Sequence, residues 1–251
     1  MTLLGDFLKA RRGRIGPADA GLPSLGRRRV PGLRRDELAG LAGLSEHYLT
    51  RLEQGVDRHP SPQVLRSLAR ALRLDPDEAA HLFTLARADP PPVSADSPVT
   101  PDLQELLDSW PDSAAYVRNR RFDVLAGNKA ALALAPMYSP GHNLVRDIFL
   151  DPAARTLFPD WATVAAQTAA ALRAEADLTD PRVVALVGEL SVDADFRRLW
   201  ALHDVRPTRA ERKEFEHPVY GPLSVRRQTL TVAGAEDQVI IVYSGDVLPP
   251  R

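Results

Sequence analysis

Apolar residues recur at helical spacing through the first third of the chain. Leu3, Leu4, Phe7 and Leu8 form one stripe. Leu38, Leu41 and Ala42 form a second, and Leu49 with Leu52 a third. Val64, Leu65, Leu68, Ala69 and Leu72 continue the pattern, and Leu82, Phe83 and Ala86 close it. Start signals agree with the stripes. Ser61 before Pro62 reads as an N-cap with proline at the first helical position, and Asp75-Pro76-Asp77-Glu78 repeats it with Glu78 placed for a capping box. Five short helices are expected, with residues 13–32 as a long loop.

Beyond residue 102 the period changes. Thr100-Pro101 opens a helix with Leu103, Leu106, Leu107 and Trp110 on one face. "AAYVRNRRFDVLAGN" reads as two β-rich runs around a polar turn, and Asn128 is placed to cap the helix "KAALALA". Helical runs follow over 143–149, 160–176, 181–190 and 194–204. "KEFEHP", "GPLSVRRQTLTV" and "QVIIVYS" then read as strands. Strands at both ends with helices between predict an α+β domain with an antiparallel sheet. Between the two parts, "ADPPPVSADSPVTPD" carries five prolines over residues 88–102, a semi-rigid linker in character. The expected domains are 1–88, a linker over 89–101, and 102–251.

One stretch of the first part carries a motif. In "RRDELAGLAGLSEHYLTRLEQG" a helix ends at Gly43, Leu44 turns the corner, and Ser45 caps the next helix, which Gly55 ends. This is the pattern of a helix-turn-helix, whose second helix enters the DNA major groove. With Leu49 and Leu52 inward, Glu46, His47, Tyr48 and Arg51 are the side chains left for DNA, beside Ser45 at the cap. Arg51 has the fork that matches guanine. Arg35 is placed for a phosphate, as are Arg34, Arg27, Arg28 and Arg29 in or beside the loop. Charge agrees: residues 1–60 carry 11 Lys/Arg and 7 Asp/Glu, while the remaining 191 carry 21 and 26.

The same residues resemble the xenobiotic-response-element (lambda repressor-like) helix-turn-helix family. Many members place Thr or Ser followed by Gln at the start of the first motif helix. Here Arg34-Arg35 stand there, so amide-mediated readout does not carry over. The longer run from "RRRVPGLRRDELAG" to "DEAAHLFTLA", with "NLVRDIFLDPAARTLFPDW", "LVGELSVDADFRRLWALHDV" and "HPVYGPLSV", is similar to MmyB-like regulators over nearly the whole chain. That resemblance implies a PAS-like C-terminal domain that binds a fatty-acid-like molecule.

Catalysis finds no footing. The chain has no Cys, which removes disulfides, thiolate zinc sites and a catalytic thiol. His142, His203 and His217 lack metal-ligand spacing, and there is no phosphate-cradling glycine loop. No cofactor, metal or catalytic residue is expected. Aromatic bulk and scattered polar groups suit an apolar pocket instead. The candidate lining is Phe122, Trp161, Arg198, Trp200, His203, His217 and Tyr220, with Asp204 and Arg206 as further polar candidates. The absence of an apolar leader or membrane-length segment, and the scarcity of Lys beside abundant Arg, point to a cytoplasmic bacterial protein with no membrane partner. The expected function is a sequence-specific transcription regulator, a homodimer on a double-stranded DNA operator, sensing an apolar small molecule. The alternative is a second domain that only dimerises or binds a protein.

Overall fold

The computed structural model describes residues 2–22, 32–87 and 97–245. The chain divides into two compact units, Met1–Pro90 and Pro91–Arg251. Arg27, Arg28 and Arg29, and residues 88–96 of the proline-rich stretch, lie outside the described residues.

The described residues of unit 1 form five helices: α1 (Leu3–Arg14), α2 (Arg35–Ala42), α3 (Glu46–Gln54), α4 (Pro62–Ala71) and α5 (Pro76–Leu85). Leu4, Phe7, Leu8, Leu38, Leu49, Leu52, Leu65, Leu68 and Leu82 are buried together. The caps expected from sequence are present. Ser61 accepts from Val64 N–H, and Asp75 accepts from Glu78 N–H while Glu78 reaches back to Asp75 N–H. α1 runs on to Arg14 where a loop was expected from residue 13. Leu41 is a second departure: it is exposed. On α2 the buried residues are Leu38, Ala39 and Ala42. At about 100° per residue, Leu41 falls roughly a third of a turn away from the centre of that arc.

Unit 2 is a five-stranded antiparallel sheet with helices on both faces. Its strands are β1 (Ala114–Asn119), β2 (Val124–Gly127), β3 (Glu211–His217), β4 (Gly221–Val232) and β5 (Ala235–Gly245), in the order β2-β1-β5-β4-β3. α6 (Pro101–Asp108) covers one face, where Leu103 and Leu107 meet Ala115, Val117, Ala126 and Ile240. Leu106 is exposed, for the same angular reason as Leu41. The other face holds the main core with α7 (Lys129–Leu134), α8 (Leu144–Leu150), α9 (Pro152–Leu157), α10 (Trp161–Glu175), α11 (Pro181–Leu190) and α12 (Ala194–Ala201). Both α9 and a 3₁₀ turn at Pro136–Tyr138 are additions to the elements read from sequence.

Because both faces of β1 are covered, all six of its residues are buried. β3 instead alternates, with Lys213, Phe215 and His217 inward and Arg212, Glu214 and Glu216 out. Asn128 ties the layers together. Its side-chain oxygen accepts from Ala131 N–H at the start of α7 and from Ala115 N–H of β1. Its amide donates to the carbonyls of Leu107, Trp110 and Ser113.

Candidate DNA interface and ligand cavity

Both ends of the turn between α2 and α3 are fixed by backbone chemistry. Gly43 lies in the left-handed region at φ 68°, and Leu44 N–H returns to Ala39 O at 2.8 Å. Ser45 Oγ then accepts from Tyr48 N–H at 3.1 Å. Leu49 and Leu52 are fully buried, Glu46 and His47 are exposed, and Tyr48 and Arg51 are half-buried. Burial pushes the Tyr48 hydroxyl above its usual pKa, and the Asp57 carboxylate adds to this, so it stays protonated.

The basic residues are less free than the sequence suggests. Glu53, on the buried side of α3, has no exposed side-chain surface. One of its oxygens takes Arg12 Nε at 2.7 Å, and the other takes Arg35 Nε at 2.7 Å. Arg12 also donates to Leu33 O at 2.8 Å. Arg35 is therefore a strut between α2 and α3, with 43% of its side chain exposed beyond that bond. Arg34 is exposed, and its backbone N–H donates to Glu37 Oε2 at 2.7 Å. Arg51 is paired with Asp57, Nε to Oδ2 at 2.7 Å and Nη2 to Oδ1 at 3.2 Å. Neither Glu53 nor Asp57 was singled out from sequence. Glu53 had a signal: it stands four residues after Leu49, inside the buried stripe.

In unit 2 a cavity of about 60 Å³ opens between the inner sheet face and α10. Its apolar wall includes Tyr116, Phe122, Met137, Tyr138, Ile148, Phe158 and Tyr243. The three tyrosines cluster: Tyr116 stacks on Tyr138 at 4.7 Å, and the hydroxyls of Tyr138 and Tyr243 are 3.3 Å apart. Burial raises Tyr116 and Tyr138 well above the usual phenol range, so both are neutral. The polar side is strongly basic. Arg118, Arg206, Arg209, Lys213 and Arg227 line it against a single carboxylate, Glu211.

Strand register assembles that side. Glu211 pairs with Arg227, which pairs with Tyr243, and Lys213 shares the face of Glu211. Glu211 Oε1 holds Lys213 Nζ at 2.7 Å and Arg227 Nη2 at 2.9 Å. Lys213 also donates to Gln167 Oε1 at 2.6 Å. Burial lowers the Lys213 pKa, the bond to Glu211 opposes this, and the charge of Arg227 reinforces it. Arg118 is fully buried and donates to Glu175 Oε2 at 2.7 Å and to Thr208 Oγ1 at 2.9 Å. Burial alone would raise the Glu175 carboxyl. The charge of Arg118 and the bonds from Thr208 outweigh it and hold the pKa below its ordinary value. The Arg118 guanidinium also lies 3.9 Å over the Phe122 ring. Phe122 sits at φ 71°, a conformation rare outside glycine that the fold holds in place at the cavity wall.

Of the seven residues expected to line a pocket, Phe122 does so. The other six do not line this cavity. The Trp161 indole donates to Ile148 O at 2.9 Å beneath the Arg155 guanidinium. Trp200 stacks on Phe196, with Arg173 3.8 Å over its ring, so it packs within the helical layer. Arg198 is exposed beside Asp195, on the opposite side of α12 from Phe196. His203 lies beyond α12, its Nδ1 3.4 Å from Arg173 Nη1. His217 sits at the far end of β3 from Glu211. There its Nε2 meets Ala133 O at 3.0 Å, and its Nδ1 accepts from Val219 and Tyr220 N–H. Tyr220 leans on the His217 ring in the hairpin between β3 and β4. Arg206 does line the cavity; Asp204 does not. Among the described residues, no three His, Cys, Asp or Glu side chains are grouped to hold a metal. No described helix is long and apolar enough to cross a membrane.

Family models match both units. Residues 3–82 match a helix-turn-helix domain. Residues 99–246 match the MmyB-like transcription regulator ligand binding domain, which covers more than half the chain. The chain belongs to the MmyB-like transcription regulators. A search of curated proteins gave no match. Membership in this family makes the chain a DNA-binding helix-turn-helix protein joined to a ligand-binding domain. Both matched domains are regulatory.

Proposed function

We propose that this regulator reads a double-stranded operator with α3 and adjusts its binding to a fatty-acid-like ligand in the cavity of unit 2. In this reading residues 1–88 bind DNA, residues 102–251 form a PAS-like sensor, and residues 89–101 join them. The protein acts in the bacterial cytoplasm. A homodimer supplies two copies of α3, because one such helix reads only a few base pairs.

The cavity carries the ligand half of this reading. Apolar and aromatic side chains form one wall, and five basic residues against Glu211 form the other. An amphipathic anion fits both sides, its tail on the aromatic wall and its carboxylate among Lys213, Arg227 and Arg206. At about 60 Å³ the cavity is well below the roughly 300 Å³ at which ligand pockets start. An acyl chain therefore needs the walls to part. A ligand that binds the opened form more tightly than the closed one shifts the population toward it, and only such a preference can alter DNA affinity.

The same small volume favours a second reading, in which unit 2 only dimerises or recruits a protein. Native mass spectrometry of the purified chain, with solvent extraction, separates the two. A retained acyl compound, or binding of added tetradecanoate that changes operator affinity, supports the sensor. A clean protein that ignores acyl chains of 8–18 carbons (about the span such probes cover) leaves the interaction module.

A further inference from the structure

Asp57 lies just past the end of α3, where the chain reverses. Val56 N–H returns to Arg51 O at 2.9 Å and Gly55 N–H to Leu52 O at 3.1 Å. With Gly55 at φ 75° this is a Schellman closure. The closure folds the chain back along α3 and delivers the Asp57 carboxylate to Arg51. The pairing is side-on, through the Nε and Nη2 donors of the guanidinium.

A guanidinium has five N–H donors in a rigid plane. Side-on pairing uses one edge of that plane. The second edge, formed by Nη1 and the remaining Nη2 hydrogen, carries no hydrogen bond among the described residues. It is a two-donor fork of the kind that matches guanine O6 and N7. The Arg51 side chain is 42% exposed. His47 and Tyr48 both interact electrostatically with Asp57, which gathers the exposed face of α3 around one carboxylate.

We propose that Asp57 is a positioning residue for base reading, holding Arg51 side-on so that its free edge is presented to a guanine. The inference rests on the reading above, that α3 meets base edges. Asp57 then acts in two opposed ways. Its charge repels phosphate and weakens binding to every sequence. Its bonds fix an otherwise flexible arginine before DNA arrives, which sharpens the choice of one base. Asp57 thus contributes discrimination at the expense of affinity.

The test uses the full chain and a library of randomised duplexes, followed by titration of the selected duplex and its single-base variants. Asp57→Asn keeps the shape and removes the charge. The expected result is a fall of about tenfold in guanine preference at one position, with affinity for random DNA equal or higher. In an Arg51→Ala background the same change should alter no base preference. Arg51→Lys, which keeps charge without a fork, should lose the same guanine at an unchanged melting temperature. If Asp57→Asn keeps the wild-type ratio at every position, the inference is overturned. A sharpened preference would overturn it too, since Asp57 would then be withholding Arg51 from DNA. If the wild-type chain selects no sequence at all, the DNA reading itself fails, which is a different result.

Discussion

Replacing Glu53 by Gln tests the strut at the heart of unit 1. Glu53 is fully buried and receives Arg12 on both oxygens and Arg35 on one of them. Gln keeps the shape, but it removes the charge and turns two amide hydrogens toward guanidinium donors. Breaking a buried ion pair by removing one partner costs about 3–5 kcal/mol. The two arginines do not share this equally. Arg35 has 43% of its side chain exposed and can recover hydration. Arg12 is only 16% exposed and keeps one bond, to Leu33 O. Most of the loss therefore falls on Arg12, and the lower end of the range, about 3 kcal/mol, is expected. For a unit of this size each kcal/mol moves the midpoint by roughly 4–8 °C, so a fall of about 12–24 °C follows. The assay is direct because all three tryptophans, Trp110, Trp161 and Trp200, lie in unit 2. Far-ultraviolet circular dichroism follows both units, and tryptophan fluorescence follows unit 2 alone. The early transition should appear only in the dichroism. A fall of under about 1 kcal/mol would refute the strut, as would an equal shift in the fluorescence.

Three further outcomes are expected. Arg35→Ala should lower affinity for specific and random DNA alike and make the salt dependence shallower by about one unit; an unchanged slope would rule out a phosphate contact by its exposed edge. Glu175 has a folded-state pKa below its ordinary 4.5, so its contribution to unit 2 is complete above that value and is lost as pH falls through the folded pKa. Acid unfolding followed by tryptophan fluorescence should therefore shift less with pH below 4.5 in Glu175→Gln than in the parent, and parallel curves would refute this. Gly55→Ala should destabilise unit 1 by about 2 kcal/mol, combining strain at a left-handed residue with loss of the Thr2 cap. An added Cβ would lie 2.3 Å from Thr2 Cγ2, and Thr2→Gly in the Gly55→Ala background should relieve that clash but restore neither the cap nor the left-handed strain; full recovery of the melting temperature would refute this.

Much of the fold was legible because local chemistry announces it. Gly43, Ser45, Ser61-Pro62 and Asp75 each mark a helix end by conformation or hydrogen bonding that a single residue supplies. The strands at both ends of unit 2 were legible as β-rich runs. The cavity was not, because it is a product of register. Glu211 and Lys213 share the inward parity of Phe215, and Arg227 shares that of Leu223 and Val225. Charged residues in inward slots were the available signal, but only the pairing of β3 with β4 brings them together. Counting aromatics led instead to Trp161 and Trp200, which are large enough to look like a pocket yet pack within the helical layer. At the DNA face, the exposed residues of α3 followed from period alone. Asp57 did not, since it reaches Arg51 through a reversal of the chain.

On the proposed sensor reading, a chamber of about 60 Å³ beside Lys213, Glu211 and Arg227 takes a chain-like guest only when its walls part. Uptake then runs at the frequency of opening and not of collision, so the observed rate levels off as guest concentration rises. Release waits on the same openings. A sensor built this way averages over changes in supply that are faster than its own breathing and answers only to those that last.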